Sequence, residues 1–297
     1  MDKVKAEFVV LDERFAHVNG DEWIQRLHTG CRWTEGPAYF PAGRYLVFSD
    51  IPNDRVLRWD ELTGVVGVFR EPAGFHNGHT VDRQGRLVSC EHGERRVTRT
   101  EHDGSTTVLA DRHQGKRFNS PNDVVESSDG AIWFTDPSYG IDSDYEGHQA
   151  ESEIGACHVY RAAPDGSVTI VADDFSRPNG LAFSLDESLL YVSDTRQDPS
   201  HIRVFQVDGG ALSGGEVFAA SDAGGFDGLR VDASGRLWAA AHDGLHCFAP
   251  DGTRIGKLRV PEVCSNLTFG GPRRNDLFIT ASSSVYTLRV NFSGPRL

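Results

Sequence analysis

NSPNDVVESSDGAIWFTD, residues 119–136, opens on a polar Asn-Ser-Pro-Asn turn and runs into a short apolar pair, Val124 and Val125. A turn signal follows at Asp129–Gly130, and a second strand-like run from Ile132 to Thr135 stops at Asp136. Alone, this pattern reads as a β-hairpin with an unusually polar mouth. The rest of the chain repeats it.

Six segments match, and their first strands read EGPAYF (35–40), NGHTV (77–81), NDVVE (122–126), NGLAF (179–183), DGLRV (227–231) and NLTFG (266–270). Their first positions lie 42, 45, 57, 48 and 39 residues apart. A turn and a second strand follow in each unit: RYLVFSD, GRLVSCE, AIWFTD, SLLYVSD, GRLWAA and NDLFIT. A third, more amphipathic strand comes next in most units, and pairs such as Asp103–Gly104, Asp165–Gly166 and Asp251–Gly252 lead towards a fourth.

Units of about four short strands, at a period of roughly 40–50 residues, predict an all-β, six-bladed β-propeller with antiparallel blades. One such unit cannot bury both of its faces, and packing blades around an axis removes that difficulty. A β-sandwich is the alternative, but it gives no reason for the regular period. The sixth unit has three evident strands, so an N-terminal run, placed within Phe8–Phe15 (FVVLDERF), is expected to complete the last blade and close the ring. The spacing of 57 marks an insertion in the third unit, near residues 137–158, whose composition suggests a flap over one face. No linker or low-complexity tract interrupts the chain, and residues 1–297 read as a single propeller domain.

Composition narrows the partners. A formal net charge of −13 leaves no basic face for nucleic acid. No stretch approaches the roughly 18 apolar residues of a membrane span. MDKVKAEFVV lacks the long apolar core of an export signal, so the cytoplasm is the expected compartment, with the periplasm after trimming of a leader as the alternative. Five dispersed cysteines without a CxxC pair fit neither a full disulfide framework nor a thiolate zinc site. Oligomeric state has no signature that can be read here.

The residues that open the six units are Glu35, Asn77, Asn122, Asn179, Asp227 and Asn266. All carry a side-chain oxygen, and the repeat places them at the entry of the innermost strands, facing the central channel at one end. Turn chemistry is the simpler account of any one of them, because Asn and Asp before Gly favour turns. Six in register, with Glu35 not a favoured turn residue, point instead to a metal site built from part of the ring. Amide carbonyls beside carboxylates suit Ca²⁺, which takes roughly six to eight oxygen ligands. Zn²⁺ would more often recruit His or Cys, although a carboxylate-rich site accepts Zn²⁺, Mn²⁺ or Mg²⁺ as well.

TEGPAYF (34–40), FNSPNDVV (118–125), WFTDPSYG (133–140), RPNGLAFS (177–184) and FDGLRVD (226–232), taken in order, resemble the gluconolactonase/regucalcin (senescence marker protein) family over nearly the whole chain. The resemblance implies a six-bladed propeller, one divalent cation at the channel mouth, and hydrolysis of sugar lactones. It puts the family's metal-binding Glu, Asn and Asp on Glu35, Asn179 and Asp227, and its substrate-side Asn on Asn122. Regucalcin has an Arg two residues before that Asn. This chain has Ser120 there, and its FNSPNDV form looks closer to the bacterial gluconolactonase branch.

Lactone opening is acyl transfer to water, and a cation on these residues would polarise the carbonyl and acidify a bound water. Asp227 can serve as ligand and base together. Asp136 is the second candidate base, although Asp50 and Asp194 end the equivalent strands and suggest a packing device instead. His79, in FHNGHTV, is a candidate proton shuttle or pocket residue. Arg117 and Tyr139 are candidate substrate contacts by their closeness to the motifs. No G-x-S-x-G elbow and no phosphate or dinucleotide fingerprint is present. The expected function is a metal-dependent lactonase. The alternatives are a metal-dependent esterase on another lactone or a phosphotriester, and a non-catalytic binding scaffold.

Overall fold

A computed structural model describes residues 2–295. Six small antiparallel sheets succeed one another along the chain and form a six-bladed β-propeller. Blade one runs through Thr34–Phe40, Tyr45–Asp50, Arg55–Asp60 and Val66–Arg70, and blade two begins at His76–Val81. The opening hairpin supplies Val124–Glu126 and Ile132–Asp136 of blade three, followed by Cys157–Ala162 and Val168–Phe175. Blades four, five and six start at Pro178–Phe183, Leu229–Val231 and Cys264–Gly270.

Strand alternation explains how the blades stack. Successive side chains of a strand point to opposite sheet faces, so each blade feeds two interfaces. In Tyr45–Asp50, Leu46 and Phe48 pack against Phe278 and Val285 of blade six, while Val47 packs with Leu87 of blade two. In the opening hairpin, Phe134 joins Val88 and Val97 of blade two, and Trp133 joins Leu190 and Val192 of blade four. Six buried apolar clusters result, one for each junction between neighbouring blades.

An N-terminal strand does close the ring, but it is Trp23–Thr29 and not a run within Phe8–Phe15. It pairs with Ser284–Arg289 in the register Ser284↔Thr29, Val285↔His28, Tyr286↔Arg26, and so becomes the fourth strand of blade six. Glu7–Val10, EFVV, is the more apolar of the two runs, which is why sequence pattern favours it over Trp23–Thr29, WIQRLHT. The difference is burial: Ile24 is 1% exposed and sits in the junction of blades five and six. Glu7–Val10 instead pairs with Arg254–Arg259 as a fifth strand on blade five, and Lys3–Lys5 extends blade six. Phe15, on a short 3-10 turn capped by Asp12, seals the five–six junction against Trp238, with ring centroids 5.9 Å apart.

The insertion in blade three lies between Ile132–Asp136 and Cys157–Ala162 and carries one helical turn, Tyr139–Asp142. Among the described residues no helix is long and apolar enough to cross a membrane.

Candidate active site at the channel mouth

Glu35, Asn77 and Asn179 stand near the start of their inner strands, and Asn122 and Asp227 just before theirs. All five line one cavity of about 390 Å³. Asn266 joins them indirectly, donating from Nδ2 to Glu35 Oε2 at 3.2 Å. The glycine after four of these residues has a reason beyond turn propensity. A Cβ on Gly36 would lie 2.1 Å from the Asn77 carbonyl oxygen, and one on Gly180 would lie 2.3 Å from that of Asp227. Only glycine lets neighbouring inner strands approach that closely.

The second strands hold the ring in place. Ser49 Oγ donates to the Asn77 carbonyl at 2.8 Å, Thr135 Oγ1 to that of Asn179 at 2.8 Å, and Ser193 Oγ to that of Asp227 at 2.9 Å. Each hydroxyl thus fixes the ring residue of the following blade. The Asp after each hydroxyl has a different task. Asp136 accepts from the backbone N–H groups of Asn119 at 2.9 Å and Ser120 at 2.8 Å. Asp194 does the same for Ser176 and Arg177, and Asp50 accepts from Arg32.

Asp136 is fully buried and is not among the residues that line the channel-mouth cavity; its carboxylate holds the Asn119–Ser120 turn. Burial pushes its carboxyl up to about 7 against those two N–H donors. Asp136→Ala strands two buried donors, each worth about 1–3 kcal/mol. Urea unfolding should therefore show a loss of about 3 kcal/mol. An unchanged midpoint would refute this.

The electrostatics of the ring suit a cation. Burial raises the carboxyl of Glu35, which the Gly36 N–H and Asn266 only partly offset. Burial also raises Asp227, and the charge of Glu35 raises it further. Among the described residues neither carboxylate has a Lys, Arg or His ion-pair partner, since the salt bridges of the molecule lie elsewhere. Two converging carboxylates without a neutralising side chain, flanked by the amides of Asn122 and Asn179, form an oxygen set of the kind hard cations take. No cluster of three His, Cys, Asp or Glu residues occurs among the described residues, so a site here would rely on the amides.

Of the remaining candidates, Tyr139 lines the cavity from the insertion, with the Arg177 guanidinium 5.1 Å from its ring centroid. Burial pushes its phenol up to about 12. His79 is not at this mouth. It is fully buried between Ser49 Oγ (2.9 Å) and Ser89 Oγ (2.8 Å), further along its strand. There it borders a second cavity, of about 230 Å³, at the other end of the channel. Burial holds its imidazole well below the ordinary range. Arg117 also stays outside: it lies on a two-stranded ribbon, its N–H donating to Glu153 and its guanidinium to the Glu94 carbonyl.

Sequence reading missed Trp33, Glu146, Thr195, Arg196 and His242, which complete the wall. The wide spacing in the third repeat was the one available pointer to Glu146.

Comparison with known proteins points to one family. Residues 33–283 match the model of the SMP-30/gluconolactonase/LRE-like region. The chain is similar to a gluconolactonase of Zymomonas mobilis, at 34% identity over 91% of this chain and 82% of the relative. It is similar to a pentonolactonase of Haloferax volcanii, at 30% identity over 86% of this chain and 84% of the relative. Among solved structures, a gluconolactonase of Xanthomonas campestris superposes with a TM-score of 0.91 at 40% identity, covering 98% of each chain.

Proposed function

This chain belongs to the SMP-30/gluconolactonase/LRE-like family, and from that premise we propose that it hydrolyses a sugar lactone of the gluconolactone kind to its aldonic acid, with one divalent cation at the channel mouth. The observation that carries this reading is the pair of unneutralised carboxylates, Glu35 and Asp227, facing one cavity together with the amides of Asn122 and Asn179. A binding scaffold has no use for such a pair aimed at its own axis.

Glu35, Asn179 and Asp227 would hold the cation, with Asn122 beside them. Calcium is the expected ion because the donors are all oxygen. When bound, such a cation would supply Lewis-acid polarisation of the lactone carbonyl and a lowered pKa for the attacking water. The protein's own part is to hold the lactone over the ring, with Asn77, Asn122 and Tyr139 offering polar contacts to its hydroxyls. Asp227 takes the proton of the attacking water at its carboxylate. The hydroxyls of Thr135 and Ser193 keep the Asn179 and Asp227 backbones from shifting as charge moves.

The deciding experiment is pH-stat hydrolysis of glucono-1,5-lactone and of a pentonolactone, after chelation and after readdition of Ca²⁺, Mg²⁺, Mn²⁺ or Zn²⁺. Chelation should abolish turnover, one of the ions should restore it, and the ratio of the two rates identifies the preferred ring. Turnover untouched by chelation would refute the metal-dependent reading.

A further inference from the structure

We propose that Glu146, on the segment inserted into blade three, is the general acid that protonates the ring oxygen as the lactone opens. This rests on the lactonase reading above.

Glu146 reaches the same cavity as Glu35, Asn122 and Asp227, but from the insertion and not from the inner-strand ring. The backbone that carries it is held in place. His92 Nδ1 lies 3.1 Å from the Glu146 carbonyl oxygen, and its Nε2 lies 3.2 Å from Asn77 Nδ2. A carbonyl partner makes Nδ1 the protonated nitrogen, which leaves Nε2 to accept from the Asn77 amide. One buried imidazole therefore ties the insertion to the ring. Burial lowers the pKa of His92 to about 4, so it keeps this neutral form.

On the other side of Glu146, Gly147 packs on Gly140: a Cβ there would lie 2.2 Å from the Gly140 carbonyl oxygen. The His148 N–H donates to that oxygen at 3.0 Å, the Ala150 N–H to Ile141 at 3.1 Å, and the Gln149 N–H to Asp144 Oδ1 at 2.8 Å. Among the described residues the Glu146 carboxyl makes no hydrogen bond or ion pair with the protein, so it is available to a ligand. Its charge nonetheless raises both Glu35 and Asp227, which places it within electrostatic reach of the ring. Burial pushes Glu146 itself up to about 7, with Asp142 adding to the shift. At neutral pH it therefore holds a proton for a substantial part of the time.

The chemistry needs such a donor. Water's oxygen bonds to the carbonyl carbon and its proton passes to Asp227. The ring C–O bond then breaks, and its electron pair leaves on an alkoxide too basic to depart readily alone. Glu146 gives that oxygen its proton, forming the hydroxyl of the acid product, and is reprotonated from solvent after Asp227 has released its own proton. Lactone and water are consumed and hydroxy acid is formed, in balance.

The test compares leaving groups. Glu146→Gln should lower kcat on glucono-1,5-lactone about 100-fold or more. On dihydrocoumarin, whose phenoxide needs little help, the loss should stay within about fivefold, because acid catalysis follows Brønsted behaviour. Calorimetric affinity for Ca²⁺ should fall by less than about tenfold, because Glu146 acts on the ring through space and not as a ligand. Glu146→Ala should regain aldonolactone turnover when imidazole, whose protonated form is an acid titrating near neutrality, is added, and this arm decides the matter if the wild type ignores dihydrocoumarin. Equal losses on both substrates, a tenfold or greater drop in cation affinity, or no loss and no rescue would each overturn the proposal. A wild-type protein inactive on every lactone would instead overturn the function on which it rests.

Discussion

Asp227→Ala should lower kcat/KM on the lactone about a thousandfold or more, the loss expected when a group acting directly on transition-state charge is removed. In the proposed mechanism the residue combines two tasks, cation ligand and proton acceptor, so the loss should exceed that of an ordinary pocket substitution. Apart from a side-chain bond with Asn179, its structural bonds belong to its backbone: the N–H donates to the Ala240 carbonyl at 3.0 Å, and its own carbonyl receives Ser193 Oγ. The side chain, by contrast, sits in a site that raises its pKa through burial and through Glu35. An ionised carboxylate whose folded-state pKa lies above its unfolded value opposes folding at pH values above both. The cation-free variant should therefore melt at or above the cation-free wild type, while calorimetry shows Ca²⁺ binding lost. Turnover within tenfold of wild type, or a melting temperature well below it, would mean that Asp227 is only a structural member of the ring.

Removing residues 1–30 should abolish cooperative folding. The closing strand Trp23–Thr29 is the outer neighbour of Ser284–Arg289, and Ile24, Phe15 and Val18 all belong to the junction of blades five and six. Without them blade six keeps an unpaired edge, an exposed template for aggregation. Trimming residues 1–5 is the control: Lys3–Lys5 is exposed, and its loss should shift the melting temperature by no more than about 3 °C, roughly 1 kcal/mol for a chain this long. Circular dichroism melts and size-exclusion chromatography distinguish the two. A soluble, sharply melting 31–297 fragment would show that the ring closes without its N-terminal strand.

What could be read from sequence followed the periodicity. Six copies of one hairpin carried the fold and the register of Glu35, Asn122, Asn179 and Asp227, because a repeat aligns residues that are far apart in the chain. Outside the repeat the reading fails. Glu7–Val10 is the more apolar run, yet the packing of Ile24 shows that Trp23–Thr29 closes the ring. Asp136 was ambiguous for the opposite reason: its repetition as Asp50 and Asp194 was the true signal, and the bonds to Asn119 and Ser120 supply its meaning. His79 is chemically attractive in sequence, yet two serines from adjacent strands enclose it. Inside the insertion no period exists, and Asp142, Asp144, Glu146, Glu151 and Glu153 cannot be ranked until the loop is folded.

The tie through His92 has a wider consequence. The oxygen ring is carried by inner strands whose glycines and hydroxyls allow almost no displacement, whereas the insertion meets that ring at one imidazole and one cavity wall. Apart from Glu146, the insertion can therefore vary without disturbing the residues proposed to hold the cation. Exchanging residues 137–156 for the corresponding segment of a relative, with His92 and Glu146 retained, offers a direct route to another lactone preference without rebuilding the proposed cation ligands.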